Sequence, residues 1–206
     1  MKSVAIIIAK GISNRLPNKN FKDFNGKPMI VWNIEKCLDV FNNVYVSSDS
    51  EKILSKASEI GAIPIKRGEE LCGECPIIPV YKHAYKFMKT KPEYIVSVQA
   101  NSPTIPIDLL RRVKTIMDTG ECQELMTCFP DAEASKYANK GTRHEQYVNT
   151  HFKWCSGVWA MTANRLLNYI DPYQKTPEVL IKDDSIDIHT IEEFNAALEQ
   201  YEFRKK

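Results

Sequence analysis

The twelve residues Ala9-Lys10-Gly11-Ile12-Ser13-Asn14-Arg15-Leu16-Pro17-Asn18-Lys19-Asn20 gather the groups that a polyphosphate needs. Lys10, Arg15 and Lys19 supply cations, Ser13 and Asn14 supply short hydrogen-bond donors, and Gly11 lets backbone approach a ligand closely. The segment follows the apolar run Ser3 to Ala9, whose composition predicts a strand buried on both faces. Ligands of open α/β sheets bind at the carboxyl ends of strands. The loop therefore reads as a nucleoside-triphosphate site rather than as a solvated basic turn. It holds neither G-x-x-x-x-G-K-[ST] nor G-x-G-x-x-G, which counts against a P-loop kinase and against a dinucleotide oxidoreductase.

Other reactive side chains are less promising. Cys72-Gly73-Glu74-Cys75 has C-x-x-C spacing, but no second pair or matching histidines complete a zinc site, and it follows a charged loop rather than a strand. These thiols are expected to be reduced and incidental. His83, His144 and His151 are widely spaced, and His83 falls on an expected helix, where a packed or surface histidine is the plain reading.

The elements that must position the loop follow from hydrophobic periodicity. Helices are expected over Met29 to Val40 (opened by Pro28), Ser50 to Ile60 (stopped by Gly61), Pro79 to Met88, Ile107 to Met117 and Ile191 to Tyr201. After Ser3 to Ala9, strands are expected over Asn43 to Ser47, Ile63 to Ile65, Tyr94 to Val98, Leu125 to Phe129 and Gly157 to Met161. This alternation is the pattern of an α/β protein with a mostly parallel sheet and helices on both faces. The polar stretch from Lys136 to Lys153 has no clear period and reads as an excursion or dimer arm.

At 206 residues, 43% apolar and 26% charged, the chain suits one domain with a sizeable core, residues 1–206, and neither a disordered nor a fibrous class. A net charge of +2 is too small for a nucleic-acid footprint. No signal peptide or membrane-spanning run is seen, so a cytoplasmic protein without membrane partners is expected.

The loop also resembles the N-terminal signature of the sugar-acid cytidylyltransferases, roughly A-R-G-G-S-K-x-[IL]-P-x-K-N, without a gap from Ala9 to Asn20. Colinear similarities follow. Gly26-Lys27-Pro28-Met29-Ile30 is similar to G-K-P-L-I, and Val46-Ser47-Ser48-Asp49 to V-S-T-D. Ile65-Lys66-Arg67 with Glu70-Leu71 resembles an R-P-x-E-L segment, Val98 to Pro103 resembles L-Q-P-T-S-P, and Ile186-Asp187-Ile188-His189-Thr190 resembles I-D-I-D-T. The resemblance implies the Rossmann-like fold of the nucleotide-diphospho-sugar transferases and the transfer of CMP from CTP to a small anionic acceptor, most simply a sialic-acid-like nonulosonic acid, with loss of pyrophosphate.

Carried over residue by residue, the resemblance implies catalytic roles for Lys10, Arg15, Lys19 and Asp187. It implies nucleotide contacts from Ala9, Gly11, Ser13, Asn14, Asn20, Arg67 and Gln99, with Asn20 near the ribose, Arg67 near the base, and the Gln99 amide able to read cytosine because it both donates and accepts. Asn101, Arg143 and Ser156 stand on the acceptor side. Mg²⁺ is the implied cofactor, with Asp187 as its ligand and Asp184 as a substitute second one. A homodimer is expected, with 130–156 as the acceptor or dimerisation excursion. Tyr147, Phe152, Trp154 and Trp159 are candidates for an acceptor pocket or a dimer contact, the contact being favoured for Phe152 and Trp154.

The chain departs from the pattern at Lys10, where the family has a two-pronged arginine, and at His189, where it has a second aspartate. It departs again at Glu74-Cys75-Pro76 (family D-T-A) and around Arg143 to Tyr147 and Ser156-Gly157, where the family has R-Q-D-x-P and then N-G. Imidazole is a poor Mg²⁺ ligand. Kdo, phosphonate or sugar-phosphate acceptors therefore stay open, as does a nucleotide-binding protein with reduced or lost catalysis.

Overall fold

A computed structural model describes residues 2–73, 75–130, 152–153, 157–169 and 177–204. The strand β1 (Ser3–Ala9) has no exposed residue, as expected of a strand with helices on both sides. Its side chains divide by parity: Ala5, Ile7 and Ala9 join one core, and Val4 and Ile6 join another on the opposite face. After the polar loop come a small hairpin, β2 (Asp23–Phe24) and β3 (Lys27–Pro28), and then α1 (Met29–Val40). The chain continues through β4 (Val44–Ser48), α2 (Glu51–Glu59), β5 (Ile63–Lys66), α3 (Ile77–Phe87), β6 (Tyr94–Gln99) and α4 (Ile107–Thr119). It then forms β7 (Glu124–Pro130), β8 (Phe152–Lys153), β9 (Val158–Thr162), α5 (Ala163–Leu167), β10 (Val179–Lys182) and α6 (Ile191–Phe203).

The main sheet has the order β10-β7-β9-β6-β1-β4-β5, with β8 paired to β7. Only β9 runs against the other strands of this path; β8 is likewise antiparallel to its partner. Helices α1, α2 and α4 cover one face through Ile30, Ile34, Ile53, Ala57, Leu110 and Val113. Helix α3 and the segment following α5 cover the other through Ile78, Tyr81, Ala84 and Tyr169. The expected fold class, a mostly parallel sheet with helices on both faces, is the one found.

A third cluster lies outside this sandwich. Leu16 from the polar loop, Phe24 from β2 and Met29 from α1 pack against Ile188, Phe194 and Ala197. Phe24 meets Phe194 edge-to-face at 5.7 Å. Fully burying a side chain of this size is worth about 1.5–3 kcal/mol, so this contact anchors α6, and the turn before it, beside the loop. A capping box between Thr190 and Glu193 fixes where α6 begins.

Trp159 requires a correction. It lines neither an acceptor pocket nor a dimer contact; it is 3% exposed and meets Tyr81 and Tyr169 edge-to-face. Its indole N–H donates to Glu124 Oε1 at 2.8 Å, which satisfies a buried carboxylate that also accepts from Arg165 Nε and the Tyr169 hydroxyl. Tyr147 and Trp154, with most of the 130–156 excursion, lie outside the described residues, as does the Phe152 side chain.

Candidate active site

The polar loop leaves β1 at its carboxyl end and rests on the turns after β4 and β5. Gly11 N–H donates to Asp49 Oδ1 at 2.9 Å. A Cβ on Gly11 would lie 2.8 Å from Ser50 Cβ, so only glycine lets the loop lie this close to the start of α2. Arg67 is buried behind it, with Nη2 donating to the Ala9 carbonyl at 3.0 Å and standing 3.5 Å from Asp49 Oδ1. Its Nε and Nη1 are buried without a hydrogen-bond partner among the described residues, which is uncommon for donors of this kind.

Within the loop, Asn20 is buried on a short 3₁₀ turn, and its amide donates to the Lys10 carbonyl at 2.8 Å. The loop thereby braces itself. Ser13 is half-buried, while Asn14 and Arg15 are exposed. The Lys10 ammonium donates to the Gly73 carbonyl inside the C-x-x-C turn, whose two cysteines are free thiols. Lys19 carries the mark of the site's electrostatics. Burial holds its pKa below the ordinary lysine value, opposed by the nearby Asp187 and Glu193 carboxylates and assisted by Arg15 and Lys10. Lys19 thus feels both the other loop cations and the Asp187 carboxylate.

The facing wall comes from the ends of β6 and β10. Asn101, just past β6, donates to Asp187 Oδ1 and, at 3.0 Å, to the Ile188 carbonyl, while Ile188 N–H returns a bond to Asn101 O at 2.9 Å. Lys19 reaches the same Ile188 carbonyl at 2.8 Å. His189 stands next to Asp187, with Nδ1 3.2 Å from the Asp187 carbonyl oxygen and Nε2 3.8 Å from Oδ2. Gln99 is half-exposed at the end of β6, and its backbone N–H donates to the Gly157 carbonyl at 3.0 Å.

The structure thus brings Lys19, Asn101 and Asp187 together, with Lys10 and Arg15 on the same loop as Lys19. Asp184 is turned towards the terminal helix, where its carboxylate pairs with Arg204 and its carbonyl accepts from Gln200. Asp183 is buried and accepts from Ser185 N–H and Oγ; a Cβ on Gly157 would lie 2.1 Å from its Oδ2. Asn101, expected on the acceptor side, serves here as the clamp on Asp187. Arg143 and Ser156 lie outside the described residues. His83 packs against Phe87 with ring centres 4.6 Å apart, and burial lowers its pKa. Among the described residues, no group of three or more His, Cys, Asp or Glu side chains is gathered to hold a metal ion, and no helix is long and apolar enough to cross a membrane.

Three supporting residues escape the sequence argument. Asp49 carries Gly11 and faces Arg67; its only signal is its place in the V-S-S-D similarity. Asn33 is fully buried on α1 and donates to the carbonyls of Gln99 (2.7 Å) and Ser102 (2.8 Å). A polar residue on the core-facing side of an apolar helix was the available clue. Lys36, one turn on, donates to the carbonyls of Pro103 and Ile105 at 2.6 and 2.8 Å. Burial pulls its pKa down to about 8.

The chain is similar to known proteins in sequence and in fold. A family model described as cytidylyltransferase matches residues 4–152. The pseudaminic acid cytidylyltransferase of Campylobacter jejuni subsp. jejuni serotype O:2 is 29% identical over 163 residues, covering 74% of this chain and 70% of its own. The 3-deoxy-manno-octulosonate cytidylyltransferase of Colwellia psychrerythraea is 34% identical over 112 residues, covering 53% of this chain and 39% of its own. In fold, a CMP:2-keto-3-deoxy-manno-octonic acid synthetase solved in complex with CTP superposes with a TM-score of 0.72 at 17% identity, over 99% of this chain and all of its own.

Proposed function

The chain belongs to the cytidylyltransferase family, and from that premise we propose that it transfers CMP from CTP to a nonulosonic acid of the sialic or pseudaminic kind, releasing pyrophosphate. The observation that carries this reading is the Lys19–Ile188 hydrogen bond, which sets the loop of Lys10, Arg15 and Lys19 against the segment that carries Asp187. A hydroxyl oxygen of the acceptor attacks the α-phosphorus, a new P–O bond forms, the hydroxyl proton passes to solvent, and the bond to the β-phosphate oxygen breaks to release pyrophosphate. Little covalent work falls to the protein; its task is to neutralise charge and hold the reactants in line. The loop cations suit the triphosphate. The two unpartnered, buried Arg67 donors suit a polar edge of the nucleotide.

Asp187 would hold a divalent ion together with the phosphate oxygens of the nucleotide, which supply most of what such an ion needs. The ion's contribution when bound is neutralisation of charge on the phosphates. Asp184, committed to Arg204, is the weaker ligand candidate. A pseudaminic-type acceptor is favoured because the relative named for that sugar aligns over more of the chain than the one named for 3-deoxy-manno-octulosonate. We place the enzyme in the cytoplasm as a homodimer.

The test is pyrophosphate release from CTP with pseudaminic acid, N-acetylneuraminate, 3-deoxy-manno-octulosonate and a phosphonate in parallel. Release with one of the two nonulosonic acids supports the reading; release only with another acceptor moves the specificity. A second reading, nucleotide binding with reduced turnover, is favoured by the docking of Lys10 on Gly73 and by His189 beside Asp187. Binding of CTP without pyrophosphate from any acceptor would select it.

A further inference from the structure

We propose that His189 is a direct ligand, beside Asp187, of a divalent metal ion, and that the pair selects a first-row transition ion such as Mn²⁺ or Co²⁺ over Mg²⁺. The inference deepens the cytidylyl-transfer reading and rests on it for the location of the nucleotide. Asp187 and His189 stand two residues apart, and their side chains approach one another. Nε2 of His189 lies 3.8 Å from Oδ2 of Asp187, too far for a hydrogen bond and within the span of one ion bonded to both, since such bonds are about 2.0–2.2 Å each.

The tautomer is set by the backbone. Nδ1 lies 3.2 Å from the Asp187 carbonyl oxygen, so the proton belongs on Nδ1 and the Nε2 lone pair is offered outward. That is how a ligating histidine is commonly oriented, with its second nitrogen tied to a carbonyl or carboxylate. The segment itself is fixed. Lys19 and Asn101 hold the Ile188 carbonyl, Asn101 holds the Asp187 carboxylate, and Glu193 accepts from the His189 backbone N–H. Both side chains keep access to solvent, Asp187 at 30% and His189 at 33% exposure. A mixed carboxylate and imidazole pair matches transition divalent ions, whereas Mg²⁺ prefers oxygen alone.

The test uses the full chain with Mn²⁺ as the probe, with and without CTP, read by pulsed electron paramagnetic resonance. An imidazole-nitrogen coupling to bound Mn²⁺ is expected in the wild type and is expected to vanish in His189→Gln. Competition binding should show the Mn²⁺-over-Mg²⁺ preference falling on the order of tenfold in His189→Asp, which restores an all-oxygen pair. Nitrogen coupling that is absent from the wild type, or unchanged in His189→Gln, overturns the proposal, as does a preference unmoved by His189→Asp or failure to retain Mn²⁺ with and without CTP. If CTP leaves Mn²⁺ retention unchanged, the nucleotide reading fails instead, and the nitrogen coupling in the Mn²⁺-only sample still decides the ligand pair.

Discussion

Lys19 and Ile188 stand 169 positions apart, yet the Lys19 ammonium donates to the Ile188 carbonyl at 2.8 Å. One bond thereby ties the polar loop after β1 to the segment that carries Asp187. Lys19 is partly buried, and that burial lowers its pKa, so a charge is held where an anion can meet it in less water than at the open surface. The same contact positions two walls of the site at once, which makes Lys19 both an electrostatic group and a spacer.

Replacing Lys19 by Met keeps much of the side chain's apolar volume and removes the charge and the tether. Loss of one preorganised donor for developing phosphate charge costs about 10²–10³ in turnover. Lys19→Met is therefore expected to reduce pyrophosphate release by about that factor, and Lys19→Arg to recover part of it. Turnover in Lys19→Met within a few-fold of wild type would remove Lys19 from the site.

Asn33→Ala tests the scaffold beneath the nucleotide pocket. The Asn33 amide satisfies the carbonyls of Gln99 and Ser102 in a region with little water. Leaving buried acceptors unpaired costs about 1–3 kcal/mol. Urea unfolding of Asn33→Ala should show a loss of about 2 kcal/mol, together with a weaker shift of melting temperature on adding CTP. A loss below ~0.5 kcal/mol, the size of an ordinary surface substitution, would count against this role.

Much of the framework was legible because buried parallel strands are written as apolar runs. Ser3–Ala9 was read to its last residue, and helix α1 to both ends. β10 and α5 escaped because a four-residue edge strand and a five-residue helix carry too short a period to register. The hairpin of β2 and β3, two residues to a strand, escaped for the same reason. In the site, the cations and Asp187 could be named from the sequence, but not the bonds that align them. Asp49 under Gly11 and Asn101 on Asp187 depend on strand order, which no local pattern encodes. Trp159 was misjudged because aromatic content alone does not distinguish an interface from a core; its buried partner Glu124 lies 35 positions away.

Lys36 gives the stability an alkaline dependence. Its pKa falls from 10.5 in the open chain to about 8 when folded, because burial disfavours the ammonium. Below pH 8 both states carry the proton, and the burial cost is fully present. Between about pH 8 and 10.5 the unfolded chain binds more protons than the folded one, so stability rises with pH across that window. The rise attributable to this group is at most roughly 3 kcal/mol. Urea unfolding at pH 7.5 and 9.5 should show up to about 2 kcal/mol of this rise in the wild type and none in Lys36→Met, the difference between the two proteins cancelling other titrations. Equal pH dependence in both would refute it.

Asn101 separates positioning from binding. Its amide holds the Asp187 carboxylate and the Ile188 carbonyl, and its own carbonyl receives the Ile188 N–H, so it fixes the ion-facing segment from behind. The bond to its backbone survives substitution; the two from its side chain do not. Removing a group that orients a metal ligand typically costs about 10–100-fold in metal affinity or activity. Asn101→Ala is accordingly expected to raise the divalent-ion concentration needed for half-maximal pyrophosphate release by about that factor, while CTP affinity measured by thermal shift without divalent ion changes little. His189→Gln in the same background should then add less than it does alone, because both changes act on one segment and neighbouring effects do not sum. If Asn101→Ala instead weakens acceptor binding and leaves the ion dependence untouched, the amide serves the acceptor and Asp187 is held by its own backbone.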